Sequence, residues 1–549
     1  MQKSVTAIQK VGTILAIIAL VLSVGSLIYI NGVFTSIDDR LKKLEGGLGA
    51  EEKVVLRIGL SVAFETPDPP EWWSDYLNGI GQLVCEPLTR LWEEDGKLVI
   101  KPVLAESWEQ IDDVTWVFHL RKDVKFSDGS PFTAQDVWFS IWGRQNPRPS
   151  NLIWSIDARV QDCVIVDNYT IKFITKSPIP NFPIWVSHGW TSIISYEQVK
   201  RSGQLNAVPI SGVENVLGTG PYKWVEIQPS LYAKMTLNPY WRGAKPQITD
   251  VEIYYLPDDE ARVAALETGA VHYITPVPPE AIDRLKQKGF TLWTRSAINF
   301  HNLGFVTVLS PTDNVKVRQA IAYAINRDEM LSSIYGAAAE PLNTVVPRAC
   351  DGAGDFPIYS YNPEKARQLL AEAGYPDGCT VRMAYRAGEF SHVDEVVAAI
   401  VGYLAKVGIN VQVDILERSK LRAETIGNRY SYLHGENVTW TYNMAFDDWS
   451  TDTLWAGDDM WSKYTMDSDH NWFMYDNPVV DELIRTSVSL APYEQRLNAT
   501  LEAQRIMMED CVIVPLFGNE YVGASTPKYK GHVIMPNCYE YFGQGVLER

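Results

Sequence analysis

Histidine and cysteine, which are common zinc ligands and catalytic residues, are scarce in this chain. The 549 residues include only eight His and six Cys, and none of them is spaced as C-x-x-C or H-x-x-x-H. The motifs G-x-S-x-G, H-E-x-x-H and G-x-x-x-x-G-K-S/T are also absent. Because these patterns mark zinc sites, hydrolase centres and phosphate-binding loops, we predict no metal, no cofactor and no enzymatic activity.

Positive charge is the second shortage. The chain has 49 Lys and Arg against 67 Asp and Glu, a formal net charge of -18, and its basic residues form no long run. Proteins hold nucleic-acid phosphates mainly through Lys and Arg. We therefore exclude nucleic acid as a partner.

The few cysteines lie far apart in the sequence, at Cys85, Cys163, Cys350, Cys379, Cys511 and Cys538. In an oxidising compartment Cys350 could pair with Cys379, or Cys511 with Cys538. Sequence spacing does not decide connectivity, and buried unpaired thiols explain the same pattern.

One long apolar run is present near the N-terminus. Residues 11–30 contain no charge, and twenty helical residues are about 30 Å long, the thickness of a hydrocarbon core. Lys3 and Lys10 precede the run, whereas the first charges after it are Asp38 and Asp39, which favours an N-terminus inside the cell. We predict a cytoplasmic segment at 1–10, a transmembrane anchor at 11–30 and a stalk with a linker at 31–53. The protein would then be held at the cell membrane with its body on the extracellular face, and later cleavage of the anchor is the alternative.

The body that follows alternates strand and helix patterns. A strand pattern at 380–386 is followed by a helix that ends before Gly408 and by a second strand pattern at 411–416. This order predicts a βαβ unit with a parallel pair of strands. Further along, the periodicity predicts a helix at 493–509 and a strand at 512–517. The body is therefore a mixed α/β protein, and its length allows two or three domains.

Seven segments of the body occur in the order that one protein family uses. They are PVLAESWEQIDDVTWVFHLRKDVKFSDGSPFTAQDVWFS at 102–140, GTGPY at 218–222, LNPYW at 237–241, DDEARVAALETG at 258–269, VRQAIAYAINR at 317–327, YNPEKARQLLAEAG at 361–374 and YDNP at 475–478. Together they resemble the family 5 extracellular solute-binding proteins, the oligopeptide, dipeptide and nickel receptors of ABC importers. The likeness covers essentially all of residues 54–549.

The resemblance implies an α/β, two-lobed, periplasmic-binding-protein-like fold with an extra subdomain. It places lobe one at 54–298, with an inserted subdomain at about 76–213, and lobe two at 299–517. The chain would return to lobe one at 518–549. It also implies that hinge bending closes the lobes on a ligand, which a monomeric body then delivers to ABC permease subunits in the membrane.

The cargo is predicted from one stretch of lobe two. Peptide-binding relatives resemble one another around a Trp/Ala-Asp-Tyr-Pro-Asp-Pro stretch, whose first Asp meets the peptide's ammonium group. The corresponding residues here are MAFDDWSTD at 444–452, which keep a carboxylate at Asp447 or Asp448 but lack the prolines. A desolvated cation needs a fixed carboxylate, so we expect oligopeptide cargo.

Aromatic residues crowd the same region and support a second interpretation. Five indoles lie near the acidic pair, and another aromatic group follows the first strand: Trp440, Trp449, Trp455, Trp461, Trp472, and then Trp72, Trp73 and Tyr76. Flat aromatic faces with polar neighbours also suit sugar rings, so oligosaccharide cargo is the alternative. We expect roughly half of these rings to be core. The acidic pair also resembles a catalytic dyad, and a surface glycosidase or peptidase is the third interpretation.

Overall fold

A computed structural model describes the chain from residue 53 to residue 548. It omits residues 96, 158, 297, 337–338, 387–391, 418–419, 422, 452, 467, 469 and 543–544 within that range. The predicted N-terminal segment 1–10, the anchor 11–30 and all of the stalk except residue 53 lie outside the described residues. Of the helices in the described part, none has the length and apolar character needed to cross a bilayer.

The body is built on one large sheet, which contains twelve strands in the described residues. Ten of them follow one another in space in the order Ile409–Ile415, Cys379–Tyr385, Met444–Ser450, Asn299–Phe305, Ile513–Ser525, Tyr273–Thr275, Val55–Leu60, Asp250–Tyr255, Tyr232–Leu237 and Tyr222–Gln228. The other two, Thr291–Ser296 and Ala339–Pro341, pair with Ile513–Ser525.

The long strand Ile513–Ser525 connects two halves of this sheet. Its first residues pair with Asn299–Phe305, and its residues from Glu520 onward pair with Thr291–Ser296. We refer to the half that contains Val55–Leu60 as lobe one and to the half that contains Asn299–Phe305 as lobe two. The predicted strand at 512–517 is therefore only the first part of a longer strand.

Lobe two contains the predicted βαβ unit. Cys379–Tyr385 pairs in parallel with Ile409–Ile415, and the helix Val393–Ala405 connects them, which confirms the prediction. The helices of this lobe are Val315–Ala324, Arg327–Ile334, Pro363–Glu372, Val393–Ala405, Asn428–Leu433, Ala456–Tyr464, Pro478–Ser487 and Tyr493–Glu509. They enclose an apolar core that includes Phe300 and Ile400, both fully buried.

Lobe one carries helices at Asp75–Gly81, Tyr196–Arg201, Asp259–Glu267 and Pro279–Gln287. Its core includes Val263, Leu266, Ile274 and Ala524. Two short strand pairs, Tyr529–Lys530 with Val546–Leu547 and Val533–Ile534 with Glu540–Tyr541, lie in the C-terminal tail. The tail packs on lobe one, where the hydroxyl of Tyr273 donates to Oε1 of Glu540 at 2.7 Å.

A separate antiparallel sheet forms the inserted subdomain. Its strands are ordered Ala105–Asp112, Thr115–Leu120, Thr170–Thr175 and Val160–Asp167, and a hairpin of Thr89–Glu94 with Lys97–Pro102 precedes them. The short helices are Ala134–Trp138, Ser150–Leu152 and Phe182–Trp185, with π-helical turns at Phe139–Gly143 and Ile153–Asp157 and 3-10 turns at Pro69–Glu71 and Gly189–Thr191. Phe118, Phe173 and Phe182 are fully buried at the centre of this subdomain.

All six cysteines lie in the described part of the chain and carry free thiols. Neither of the pairs that the sequence left open, Cys350 with Cys379 and Cys511 with Cys538, forms a disulfide. The thiol of Cys350 instead donates to Oδ2 of Asp459 at 3.0 Å inside lobe two. Five of the six thiols are buried and that of Cys379 is partly buried, as is usual for unpaired cysteines.

Candidate functional site

A cavity of about 1490 Å³ lies between the two halves of the large sheet. Its wall includes residues at the carboxyl ends of four strands. Ser61, Pro276 and Arg386 directly follow Val55–Leu60, Tyr273–Thr275 and Cys379–Tyr385, and Pro257 is the second residue after Asp250–Tyr255. Open α/β sheets bind ligands in crevices at these strand ends. The topology therefore identifies this cavity as the candidate ligand site.

Six of the nine predicted site residues line the cavity. Lobe one contributes Trp72, Trp73 and Tyr76, and lobe two contributes Asp447, Asp448 and Trp449. The fold thus brings together two groups that are separated by more than three hundred residues in the sequence.

The other three predicted indoles, Trp440, Trp455 and Trp461, are not part of the cavity wall. Trp455 is buried in lobe two, where its Nε1 donates to the carbonyl oxygen of Ser487 at 3.1 Å. Trp440 and Trp461 are half-buried and pack against the core of lobe two. All three indoles stabilise lobe two by packing.

The carboxylate of Asp447 is held in place from two sides. Nε1 of Trp472 donates to its Oδ2 at 3.2 Å, and the backbone N–H of Asp448 donates to its Oδ1 at 3.1 Å. Trp472 also lines the cavity. The sequence places Trp472 among the crowded indoles but does not indicate this contact, because the two residues are 25 positions apart.

Asp448 lies beside a buried histidine. Its strand Met444–Ser450 runs antiparallel to Asn299–Phe305, and this register puts Asp448 directly opposite His301. Nδ1 of His301 is 3.3 Å from Oδ1 of Asp448, and the fully buried ring stacks on Phe517 at 4.5 Å between centroids. The strand register therefore places the Asp448 carboxylate next to a buried imidazole, and strand pairing is the only sequence signal that could have predicted this neighbour.

Trp449 belongs mainly to the core of lobe two, since only 7% of it is exposed. Its ring packs against Phe300 and Tyr464, with centroids 4.9 and 5.9 Å away. Nζ of Lys463, another residue of the cavity wall, is 5.3 Å from the ring centroid. Trp449 therefore supports the wall and presents little of its ring surface to the cavity.

The two indoles of lobe one differ in exposure. Trp72 is 1% exposed, donates from Nε1 to the carbonyl oxygen of Thr66 at 3.3 Å, and meets Phe64 and Trp224 edge to face. Trp73 is 63% exposed at the cavity. Of these two rings, only Trp73 offers a large accessible surface to a ligand.

A buried polar cluster lies behind Tyr76. The ring of Tyr76 is 5.0 Å from that of Tyr521, which also lines the cavity. Burial raises the pKa of Glu540 to about 8 and lowers that of His532 to about 3. At neutral pH Glu540 is therefore mainly a neutral acid that accepts from Tyr273, and His532 is uncharged.

The cavity wall carries charges of both signs. Its acidic residues are Asp75, Asp259, Asp447, Asp448 and Glu520, its basic residues are Arg262, Arg386 and Lys463, and His470 also lines it. Arg262 is fully buried and donates to the carbonyl oxygens of Pro276 and Leu256 at 2.9 and 2.8 Å, so it is structural. Among the described residues, no group of His, Cys, Asp and Glu is placed to hold a metal ion. A wall of this kind suits a zwitterionic ligand.

The family model of bacterial extracellular solute-binding proteins, family 5 (Middle), matches residues 99–471 of this chain. That match covers more than half of the sequence. The chain belongs to this family. Family 5 proteins are the solute-binding components of ABC importers and act outside the cytoplasm, which confirms the family predicted from the seven motifs.

Individual relatives agree with this result over nearly the whole chain. The glutathione-binding protein GsiB of Salmonella paratyphi A is 27% identical over 495 residues, which are 89% of this chain and 93% of GsiB. The periplasmic binding protein DppA of Helicobacter pylori, solved with the peptide STSA, has a TM-score of 0.72 and 22% identity and covers 90% of this chain and 98% of its own. AgaA of A. tumefaciens, solved with agropinic acid, has a TM-score of 0.73 and 22% identity over 90% of this chain and 99% of its own.

The similarity to these solved structures shows that this chain has the two-lobed α/β binding-protein fold predicted from its sequence. Its relatives are substrate-binding proteins of transporters, so the prediction that it is not an enzyme is confirmed. The third interpretation of the acidic pair, a surface glycosidase or peptidase, is wrong for the same reason.

Proposed function

We propose that this solute-binding protein captures oligopeptides and delivers them to the permease of an ABC importer. The observation that carries the proposal is the fixed carboxylate of Asp447 in the cavity, held by the indole N–H of Trp472. A carboxylate has about four acceptor positions, and two of those on Asp447 are taken by the Trp472 and backbone donors. The others can accept from an ammonium group, with Asp448 adding negative charge beside it.

The opposite charge of a peptide also finds partners on the cavity wall. Arg386 and Lys463 lie there together with the acidic pair. A guanidinium group binds carboxylates in a bidentate manner, and an ammonium group attracts them as a point charge. We assign the carboxylate end or an acidic side chain of the cargo to these two residues.

The hinge is proposed at the two places where the chain passes between the halves of the sheet. One lies between the strands Thr291–Ser296 and Asn299–Phe305, and the other lies within Ile513–Ser525, where the pairing partner changes near Gly518. Asn299 and Glu520, which are beside these crossings, line the cavity. Bending at both crossings would close lobe one, 54–298, on lobe two, 299–517, with 518–549 moving with lobe one.

Oligosaccharide cargo is the second candidate. The observation that favours it is Trp73, whose indole is 63% exposed at the cavity and could stack on a sugar ring. Against it, a neutral sugar offers only hydroxyl groups to the charged residues on the wall, whereas a zwitterionic peptide can form charge-assisted hydrogen bonds with both signs.

Thermal unfolding of the purified protein with panels of peptides and oligosaccharides tests the cargo. A ligand at 100 times its Kd stabilises the folded state by about 2.7 kcal/mol, which raises the Tm measurably. A rise with peptides alone supports the proposal, and a rise with oligosaccharides alone supports the second candidate. No rise with either panel contradicts both.

We also propose that residues 11–30 anchor the protein to the membrane, with the monomeric body outside the cell. The support is the uncharged run itself and the two lysines that precede it. The full chain should then stay with membranes after a high-salt wash, whereas a chain starting at residue 51 should be released. Recovery of the full chain in the soluble fraction would contradict the anchor.

A further inference from the structure

Residues 421 and 423–433 form a segment that borders the cavity and meets the core of lobe two through Leu421 and Ile426. The segment consists of the π-helical turn Ala423–Gly427 and the helix Asn428–Leu433. Its outer side is exposed, with Tyr430 53% and Leu433 41% accessible to solvent. We name it the 421–433 segment.

One buried charged side chain helps to hold this segment, whose Leu421 and Ile426 also pack against the core of lobe two. Among the described residues between 420 and 440, Arg429 is the only one that is buried, and it is fully so. Its Nε donates to the carbonyl oxygen of Ser468 at 3.1 Å, and its Nη2 donates to that of Met466. Nη1 lies 3.3 Å from the sulfur of Met474.

These partners belong to the loop that carries the cavity residues His470 and Trp472. Trp472 in turn donates to the carboxylate of Asp447. Arg429 therefore connects the 421–433 segment, through a few bonds, to the carboxylate assigned to the ammonium group. A buried guanidinium with several fixed acceptors is a rigid connection, because its planar fork has a preferred geometry.

The side of the 421–433 segment that faces the cavity is mainly apolar. Leu421, Ala423, Ile426 and Gly427 line the cavity together with Thr425, and Leu421 and Ile426 are only partly buried. In lobe one, Val277, Pro278 and Ile282 also line the cavity. Partly exposed aliphatic side chains on a ligand cavity gain burial when an apolar group enters.

We propose that the 421–433 segment forms an apolar subsite that selects peptides with a bulky apolar side chain, and that Arg429 is the positioning residue that sets this subsite relative to Asp447. The inference rests on the proposed function and names the cargo class more narrowly. The ammonium contact is common to all peptides, whereas the apolar wall distinguishes between them. Arg429 acts only through the position of Leu421 and Ile426.

The test compares tripeptide affinities by calorimetric titration of the full chain. The probes are Ala-Ala-Ala and the three tripeptides in which one alanine is replaced by phenylalanine. We expect at least one phenylalanine tripeptide to bind the wild type roughly tenfold more tightly than trialanine. The variant Ile426→Ser should reduce that ratio towards one. Leu433→Ser, on the exposed side of the same segment, is the matched control and should keep the wild-type ratio.

Arg429→Met and Arg429→Lys test the positioning role of Arg429. The measured quantity is again the ratio of the affinities for the phenylalanine tripeptide and for trialanine, because a general loss of stability would not change this ratio. We expect Arg429→Met to lower the ratio and Arg429→Lys to restore part of it, since lysine can still donate to the carbonyl oxygens. An unchanged ratio in both Ile426→Ser and Arg429→Met would overturn this inference alone. Absence of binding to every tripeptide would overturn the proposed function and this inference with it.

Discussion

At the scale of single residues, Asp447 and Asp448 differ in what holds them. Asp447 accepts from an indole and a backbone N–H, whereas Asp448 faces the imidazole of the buried His301. The two donors to Asp447 fix its carboxylate before a ligand arrives, which lowers the entropy lost on binding. The residues next to the acidic pair, Trp472 and His301, are therefore part of the site although no sequence motif identifies them.

The substitutions Asp447→Asn and Asp448→Asn should weaken peptide binding, because each removes a negative charge that faces the ammonium group. We expect the Asn variant of the residue that contacts the ammonium to lose about 2–3 kcal/mol of binding free energy. Calorimetric titration with a tripeptide measures the loss, and Asp476→Asn, an exposed residue outside the cavity wall, is the control. Wild-type affinity in both variants would remove the assignment.

The buried Glu540 makes a pH-dependent contribution to stability. Its pKa in the folded state is about 8, above the value of about 4.3 in an unfolded chain. The folded state therefore holds the proton more tightly, and the contribution is fully present below the unfolded pKa. It is lost as the pH rises through the folded pKa.

Replacement of this group, Glu540→Gln, should flatten the pH dependence of the unfolding free energy between about pH 5 and pH 8. The wild type should lose of the order of 1 kcal/mol per pH unit more than the variant in this range. Denaturant unfolding at several pH values measures the slopes, and Glu482→Gln, on the surface of lobe two, is the control. Tyr273 and His532 face the carboxyl group and are unchanged in both variants. Equal slopes for wild type and Glu540→Gln would contradict the argument.

At the scale of secondary-structure elements, local sequence signals predicted regular elements well. The helix Tyr493–Glu509 has the predicted ends, and the βαβ unit has the predicted parallel pair. The strand predicted at 512–517 continues to Ser525, because its second part pairs with lobe one. That extension depends on pairing with a strand that is distant in the sequence, and local periodicity cannot predict such pairing.

The site was less predictable than the elements. Trp449 and Trp455 stand in similar sequence surroundings, yet Trp449 lines the cavity and Trp455 is packed against Ser487 and Tyr493. Whether an indole faces the cavity or the core depends on how the elements of the whole lobe pack together. The 421–433 segment gave no signal, since a single buried residue does not produce a hydrophobic period.

The helix Pro478–Ser487 depends on its N-cap. Oδ1 of Asn477 accepts from the backbone N–H groups of Val479 and Val480 at 3.1 and 3.4 Å, and Nδ2 donates to Asp510. We expect Asn477→Ala to lower the free energy of unfolding by about 1–2 kcal/mol. Denaturant unfolding measures the change. Glu482→Ala on the exposed side of the helix should have little effect, and an equal effect of both variants would argue against the cap.

At the scale of the whole molecule, the proposed hinge couples ligand binding to the relative position of the lobes. The cavity wall comes from both halves of the sheet, and the chain crosses between the halves twice. A ligand that contacts both walls favours the closed arrangement, and only this difference in affinity can shift the population. The permease could then distinguish loaded from empty protein by shape.

This coupling predicts a change in overall dimensions. The radius of gyration measured by small-angle X-ray scattering should decrease when a tripeptide that the protein binds is added at a saturating concentration. The Asp447→Asn/Asp448→Asn double variant at the same peptide concentration should keep the dimensions of the free protein. A saturated wild type with unchanged dimensions would contradict closure by hinge bending.

The central claim is that the cavity recognises the ammonium group of a peptide through the acidic pair. The most direct measurement is the affinity of the wild-type protein for one tripeptide and for the same tripeptide with an acetylated N-terminus. Acetylation removes the positive charge and leaves the rest of the ligand unchanged, so the account predicts a loss of binding of about 30-fold or more. Equal affinity for the two forms would contradict it.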